Sequence, residues 1–175
     1  ILTEGDHSNA RIINMNVSQI NDFLKKGIAV VPGFQGISER GDITTIGRGG
    51  SDATAVAFAK LFDAETCEIY TDVDGVYTTD PRIVKSAKKL DLITYEEMLE
   101  LASQGAKVLQ TRSVALAMKY NVKLRVLSSF EDLPGTSIIK EEQNMEKTEI
   151  SGIAHSLNEA KITLSGVPDH PGQAA

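Results

Sequence analysis

Two glycines, Gly49 and Gly50, stand directly before Ala53 to Leu61, a run that reads as an apolar helix. A glycine turn opening a helix restricts the fold more than any other feature of this chain. Ser51 sits where an N-cap belongs, and Asp52 falls where a helix dipole favours negative charge. Glycines at such a junction let backbone N–H groups close on an anion, and a helix N-terminus is a ready-made phosphate site. Arg48 adds a planar fork suited to a two-point grip on a carboxylate or phosphate. Taken alone, the same Gly-Gly-Ser run also serves as an ordinary strand-to-helix turn.

A second segment, Thr71 to Arg82, shifts that balance. Glu68-Ile69-Tyr70-Thr71 reads as the end of a buried strand, running into a polar loop with three aspartates, a glycine, a tyrosine and an arginine. Ligands of open α/β sheets gather at the carboxyl ends of strands. An adenine ring wants an aromatic or apolar wall and phosphates want cations, so Tyr77 and Arg82 suit a nucleotide on chemistry alone. The Asp-x-Asp-Gly pattern also invites a calcium-loop reading. That reading fails, because the twelfth position counted from Asp72 is Ile83 rather than a bidentate Glu.

The rest of the chain alternates strand and helix. Arg11 to Met15 reads as a strand, and Val17 to Lys26 as a helix stopped by Gly27. Ile28 to Pro32 is a continuous apolar run, typical of a strand covered on both faces. Residues 37 to 46 suggest a hairpin-like excursion before the glycine turn, and Thr66 to Thr71 the next buried strand. Tyr95 to Ala102 and Arg112 to Tyr120 have helical spacing, and Val122 to Leu127 returns to strand. The expected class is α/β, with a mostly parallel sheet and helices on both faces. A charged, apolar-poor stretch at 141–149 reads as a linker, after which Ile150 to Ser156 and Ala160 to Ser165 alternate like strands.

Composition narrows the partners. The 175 residues allow one domain with a sizeable core and part of another, and the formal charge of −6 argues against a broad nucleic-acid footprint. The single cysteine, Cys67, cannot form an internal disulfide and fits a reducing cytoplasm as a buried structural thiol. No apolar run approaches a membrane span and no signal-peptide pattern opens the chain, so no membrane partner is expected. His7, His155 and His170 have no metal-ligand spacing, and no all-protein metal cage is visible.

Several long runs resemble aspartokinases of the amino-acid-kinase family. They are Arg48-Gly49-Gly50-Ser51-Asp52, Tyr70 to Arg82 and Gly105-Ala106-Lys107-Val108-Leu109, flanked by Pro32-Gly33-Phe34-Gln35-Gly36 and Glu96 to Leu101. The resemblance implies an amino-acid-kinase-like fold over 1–140, a linker at 141–149 and, over 150–175, the beginning of an α+β ACT-like regulatory module. It implies phosphoryl transfer from ATP to the side-chain carboxylate of L-aspartate, with Mg2+ bridging the phosphates, on a route to lysine, threonine and methionine. By the same resemblance Asp52 orients the catalytic lysines, and Arg48, Gly49, Gly50 and Ser51 hold substrate. Ser51, Thr71, Asp72, Tyr77, Arg82 and Lys107 hold ATP. Asp169, Pro171 and Gly172 form the loop for an amino-acid effector, lysine or threonine, and paired ACT modules imply a homo-oligomer.

Plainer roles compete with these. Asp52 also suits a helix-start carboxylate and Lys107 a solvated charge after the helix end at Gly105. Thr78 and Thr79 suit turn caps, at least one of Asp72, Asp74 and Asp80 serves its own turn, and Glu96, Glu97 and Glu100 read as a solvated helix face. The family's opening Lys-Phe-Gly-Gly-Thr-Ser run is absent, so the chain reads as a fragment that is inactive alone. A different amino-acid kinase is the nearest competing enzyme. A non-catalytic nucleotide- or effector-binding regulatory subunit is the alternative from another class, and Met145 would suit the internal start of such a subunit.

Overall fold

The computed structural model describes residues 1–106, 108–141 and 150–155, with Gln19 described by its backbone alone. Lys107, Asp169, Pro171 and Gly172, each expected to touch a ligand, lie outside the described residues, as do His170 and most of the expected linker. The α/β class holds. The elements are β1 (Leu2–Glu4), β2 (Arg11–Asn14), α1 (Ser18–Leu24), β3 (Gln35–Ser38), β4 (Ile43–Thr45), α2 (Gly50–Leu61) and β5 (Cys67–Thr71). They continue with β6 (Leu92–Thr94), α3 (Tyr95–Ser103), α4 (Thr111–Tyr120), β7 (Leu124–Ser128) and β8 (Thr136–Ile139).

Two four-stranded sheets form, in the orders β2-β1-β3-β4 and β5-β7-β8-β6. Parallel pairing joins β1 to β3, β5 to β7 and β6 to β8, and antiparallel pairs complete each sheet, so both are mixed. The polar excursion expected at 37–46 is the β3–β4 hairpin, with Gly36 opposite Thr44.

In the second sheet side chains alternate. Cys67 and Ile69 of β5, Leu124 and Val126 of β7 and Ile138 of β8 are buried and enter one core with Val56, Met98, Val114 and Ala117 of the helices. Full burial of each aliphatic side chain contributes about 1.5–3 kcal/mol, which explains why α2, α3 and α4 form against this face. Helix α4 lies between α2 and α3. The other face carries Glu68, Tyr70 and Arg125, with Tyr70 61% exposed and Arg125 Nη1 3.5 Å from Glu68 Oε1. Helices α2, α3 and α4 cover the first of these faces, and Leu127 of β7, next to the core-facing Val126, is buried as well. Period-2 alternation is the pattern of a half-buried strand.

Local sequence explains the ends of these elements. Helix α4 buries Ser113, Val114 and Ala117 and stops at Asn121, which is left-handed with φ 52°. Helix α3 starts with a capping box: Thr94 Oγ1 accepts from the Glu97 N–H at 3.3 Å, and the Thr94 N–H donates to Glu97 Oε2 at 2.9 Å. Glu97 is thus not part of the solvated face, whereas Glu96 and Glu100 are exposed.

Three expectations need correction. Helix α1 is shorter than Val17 to Lys26. Ile28 to Pro32 forms no strand, with Ile28 87% and Val30 94% exposed, because no described strand pairs with it. Residues 150–155 also form no strand. Instead Ile153 N–H donates to the Thr78 carbonyl at 2.7 Å, Ser151 Oγ hydrogen-bonds Glu97 and Ala154 packs on the core. Thr94→Ala should lower the unfolding free energy by about 1 kcal/mol through loss of the cap. Urea unfolding of this variant beside Glu96→Ala, expected within about 0.5 kcal/mol of the parent, checks the assignment.

Candidate active site

The glycine turn starts α2 two residues earlier than the sequence suggests. Gly49 is the N-cap, left-handed with φ 71°, and Ser51 lies in the first turn without capping it. Any Cβ on Gly49 would meet Gln110 Cβ at 2.5 Å, so both conformation and space demand glycine. Phe34, itself at φ 71°, lies against the turn, with its Cδ2 3.0 Å from where a Gly50 Cβ would stand. The Phe34 N–H donates to Thr54 Oγ1 at 3.3 Å, and its carbonyl accepts from Ile46 N–H at 2.8 Å.

Helix starts leave donors unspent. Here Gly50 N–H donates to the Gly47 carbonyl at 2.9 Å and Ala53 N–H to Gly49 at 3.0 Å. The N–H groups of Ser51 and Asp52 find no acceptor among the described residues, so they are the donors left for an anion. Arg48 is exposed and makes no ion pair among those residues. Asp52 is half-buried, and desolvation pushes its pKa above the ordinary carboxyl value. This turn therefore gathers a free guanidinium, a hydroxyl, open amides and a carboxylate.

The second group follows β5, whose carboxyl end lies beside that of the parallel strand β7. Thr71 Oγ1 donates to Asp72 Oδ1 at 3.1 Å, and Asp72 is otherwise exposed. Tyr77 OH donates to Asp74 Oδ1 at 3.0 Å, and Lys89 Nζ reaches Asp74 Oδ2 at 3.2 Å. Burial raises the Asp74 pKa, but hydrogen bonds from Lys89 and Tyr77 together outweigh it and leave it below the ordinary value. Burial and then Asp74 push Tyr77 up. Arg82 clasps Asp80 through Nε at 3.0 Å and Nη2 at 2.7 Å, holding the Asp80 carboxyl down to about 2. Asp74 and Asp80 thus serve their own loop, and Asp72 remains the least engaged of the three.

The loop is anchored by a residue the sequence did not single out. Thr136 Oγ1 accepts from Val76 N–H at 2.8 Å and donates to the Leu90 carbonyl at 2.6 Å, pinning both ends of the excursion. Gly75, at φ 149°, leaves room for it: a Cβ there would lie 2.5 Å from Thr136 Oγ1. Thr78 bridges the loop rather than capping a turn: its hydroxyl accepts from Lys88 N–H at 3.1 Å and its own N–H donates to the Lys88 carbonyl at 2.8 Å. No hydrogen bond or ion pair joins the two groups among the described residues. Two shallow concavities, lined by Ile20, Phe23 and Val30 and by Glu65, Glu68 and Lys123, contain none of the expected site residues. Cys67 is buried, and burial followed by Asp52 and Glu68 raises its thiol to about 11, which suits a structural cysteine.

A model of the amino acid kinase family matches residues 1–128. The chain belongs to that family. It is 59% identical to the aspartate kinase of Pseudomonas putida over 99% of its own length and 43% of that protein. It is 52% identical to the aspartokinase of Mycolicibacterium smegmatis over 100% of its length and 42% of that protein. It therefore spans under half the length of these relatives. Among solved structures, E. coli aspartokinase III in complex with aspartate and ADP superposes with a TM-score of 0.72 at 34% identity, over 82% of this chain and 34% of that one. The family assignment and the α/β fold agree with the resemblance carried by the two motif runs.

Asp52 offers a test of the turn's electrostatics. A carboxyl whose folded pKa is raised stabilises the fold least when ionised, and that cost grows as pH rises through its folded pKa. Asp52→Asn should therefore raise the melting temperature of this chain at pH 7. The gain should shrink below about pH 4, where the carboxyl is protonated in both states. A melting series across pH that shows no such convergence would contradict the buried-charge account.

Proposed function

We propose that the protein to which this chain belongs is an aspartate kinase, transferring the γ-phosphoryl group of ATP to the side-chain carboxylate of L-aspartate. The product is 4-phospho-L-aspartate, the entry to lysine, threonine, methionine and diaminopimelate synthesis. The observation that carries the reading is the start of α2, where Arg48, Ser51 and two open amides converge without a protein acceptor. Its support from relatives is the 59% identity to the Pseudomonas putida enzyme and the likeness to aspartokinase III holding aspartate and ADP.

The chemistry asks for position and charge neutralisation more than for acid–base work. The substrate carboxylate is already an anion, so its oxygen attacks the γ-phosphorus without losing a proton, and the bond to the ADP oxygen breaks. Arg48 grips a carboxylate of aspartate, and the amides of Ser51 and Asp52 with the Ser51 hydroxyl receive phosphoryl oxygens. Gly49 and Gly50 let the turn pack against Gln110, Ile46 and Phe34 so that these amides face the substrate. Asp52 orients cationic groups around the moving phosphoryl. Thr71, Asp72 and Tyr77 hold the nucleoside part, and Arg82 and Lys107 the phosphates, with Arg82 exchanging its bond to Asp80 for a nucleotide oxygen.

Asp52 and Asp72 keep free carboxylate oxygens, which would suit a magnesium ion held mainly by phosphate oxygens. When bound, it neutralises charge on the β- and γ-phosphates. The domain division follows the same reading: kinase domain over 1–140, linker over 141–149 and the start of an ACT-like module over 150–175. Asp169, Pro171 and Gly172 form the effector loop of that module for lysine, threonine or both. The whole protein is a cytoplasmic homo-oligomer without nucleic-acid or membrane partners. No helix among the described residues is long and apolar enough to cross a membrane.

The 175-residue chain by itself is expected to show no aspartate-dependent ATP consumption, and phospho-aspartate made by the purified chain would overturn that expectation. In the full-length enzyme Arg48→Ala should cost roughly 2–4 kcal/mol in kcat/KM for aspartate, the size of a charge-assisted two-point contact. Tyr77→Ala should instead raise the KM for ATP with a smaller effect on aspartate. Steady-state kinetics with each substrate varied in turn decide the matter, and unchanged aspartate kinetics in Arg48→Ala would remove Arg48 from the substrate site.

A further inference from the structure

The turn from Ile46 to Asp52 belongs to the end of the first sheet, yet its support comes from the helical layer of the second. Arg112, on the first turn of α4, donates through Nη1 to the Ile46 carbonyl at 2.7 Å and through Nη2 to the Ala10 carbonyl at 3.0 Å. Both acceptors belong to residues with no exposed surface. Each is itself fixed in the first sheet. Ala10 N–H donates to Thr45 at 3.0 Å, just before Ile46, and Ile46 N–H donates to Phe34 at 2.8 Å.

Arg112 is partly buried and has no carboxylate partner among the described residues. A desolvated guanidinium normally finds an acid, and here neutral carbonyls take its place. Two residues earlier in the chain, Gln110 forms the floor beneath Gly49. The start of α4 thus grips the turn at two points, by a planar fork before Gly47 and by a packed side chain under Gly49.

We infer that Arg112 is a positioning residue: its fork on Ile46 and Ala10 sets where Arg48, Ser51 and Asp52 stand relative to the nucleotide loop. A single charge would not do this. A guanidinium presents two donors in one plane, so it fixes the two carbonyls against each other, whereas an ammonium bonds them without a fixed angle. Loss of the fork frees the strand end to shift, and displacements of about 1 Å at a reacting centre cost up to roughly a hundredfold in rate. The nucleotide loop is built on β5 and Thr136 and does not touch Arg112.

The catalytic part of this inference rests on the aspartate-kinase reading, so two measurements are paired. In the full-length enzyme, Arg112→Met should raise the aspartate KM and lower kcat about tenfold, while the KM for ATP stays within about twofold of the parent. Arg112→Lys, which keeps the charge and folds even where the methionine variant does not, should restore only part of the loss. In the 175-residue chain, hydrogen exchange at Gly50 and Ala53, whose N–H groups are bonded to the Gly47 and Gly49 carbonyls, should speed about tenfold in either variant while the amides of β5 keep their protection. Parent-like aspartate kinetics in the folded variants, or equal factors for both substrates, would overturn the inference. Unchanged exchange at Gly50 would overturn it independently of catalysis. A full-length parent without aspartate-dependent turnover would instead sink the functional reading, and the exchange measurement would still decide the positioning role.

Discussion

The space beneath Gly49 is filled by Gln110, and that one close approach organises much of the molecule. With a Cβ excluded and φ at 71°, the chain passes from β4 into α2 by a left-handed step that aims the first amides of the helix outward. Helix α2 must then lie where Ala53, Val56 and Ala59 reach the core, which places it against α4 and the buried face of β5. The same helix α4 supplies Gln110 and the Arg112 fork. Packing energy in the core and geometry in the turn are therefore two ends of one arrangement. A change that loosened α4 would disturb the helix start before it emptied the core.

The loop that follows β5 has a different source of rigidity. It is a largely exposed excursion between β5 and β6, anchored where Val76 enters the core and Leu90 packs against it, and ordered elsewhere by hydrogen bonds. Thr136, buried in β8, uses donor and acceptor together to tie Val76 to Leu90, so its hydroxyl is not left unpaired in the interior. Farther out, Tyr77 is fixed by Asp74 and Asp74 by Lys89, while Arg82 rests on Asp80. The Asp80–Arg82 pair is solvent-facing, with 81% of the Arg82 side chain exposed. Such pairs are worth about 0–1 kcal/mol, so a phosphate can displace the carboxylate at small cost. A loop held firmly at its base and weakly at its tip suits a ligand that must come and go.

What the sequence discloses here depends on how local the cause is. The glycine turn, helix α4 with its Asn121 end and the β3–β4 hairpin all follow from neighbouring residues, and all were legible. Thr94-Tyr95-Glu96-Glu97 carries the capping-box signature, a local signal that assigns Glu97 to the helix cap and not to the solvated face. The alternation of Cys67, Glu68, Ile69 and Tyr70 likewise carries the pattern of a half-buried strand. By contrast, Ile28 to Pro32 has a strand's composition but no described partner, and pairing is a property no single segment contains. Thr136 and Arg112 were out of reach for the same reason, since their partners stand 46 to 102 residues away in sequence.

The described stretch from 150 to 155 shows how such distant contacts can carry mechanical meaning. Its backbone bonds the loop at Thr78, next to Tyr77, and its Ser151 bonds Glu97, the residue that caps α3. Burial raises the Glu97 pKa, and the bonds from Ser151 and Thr94 more than reverse it, so the carboxylate stays charged while it caps. Gly152 sits so close that a Cβ would lie 3.2 Å from both Leu101 Cδ2 and the Thr78 carbonyl oxygen. A segment seated this tightly cannot move without exposing the Thr78 carbonyl and loosening the start of α3. The stretch from 150 to 155 thus meets the loop after β5 through one hydrogen bond and the core through Ala154.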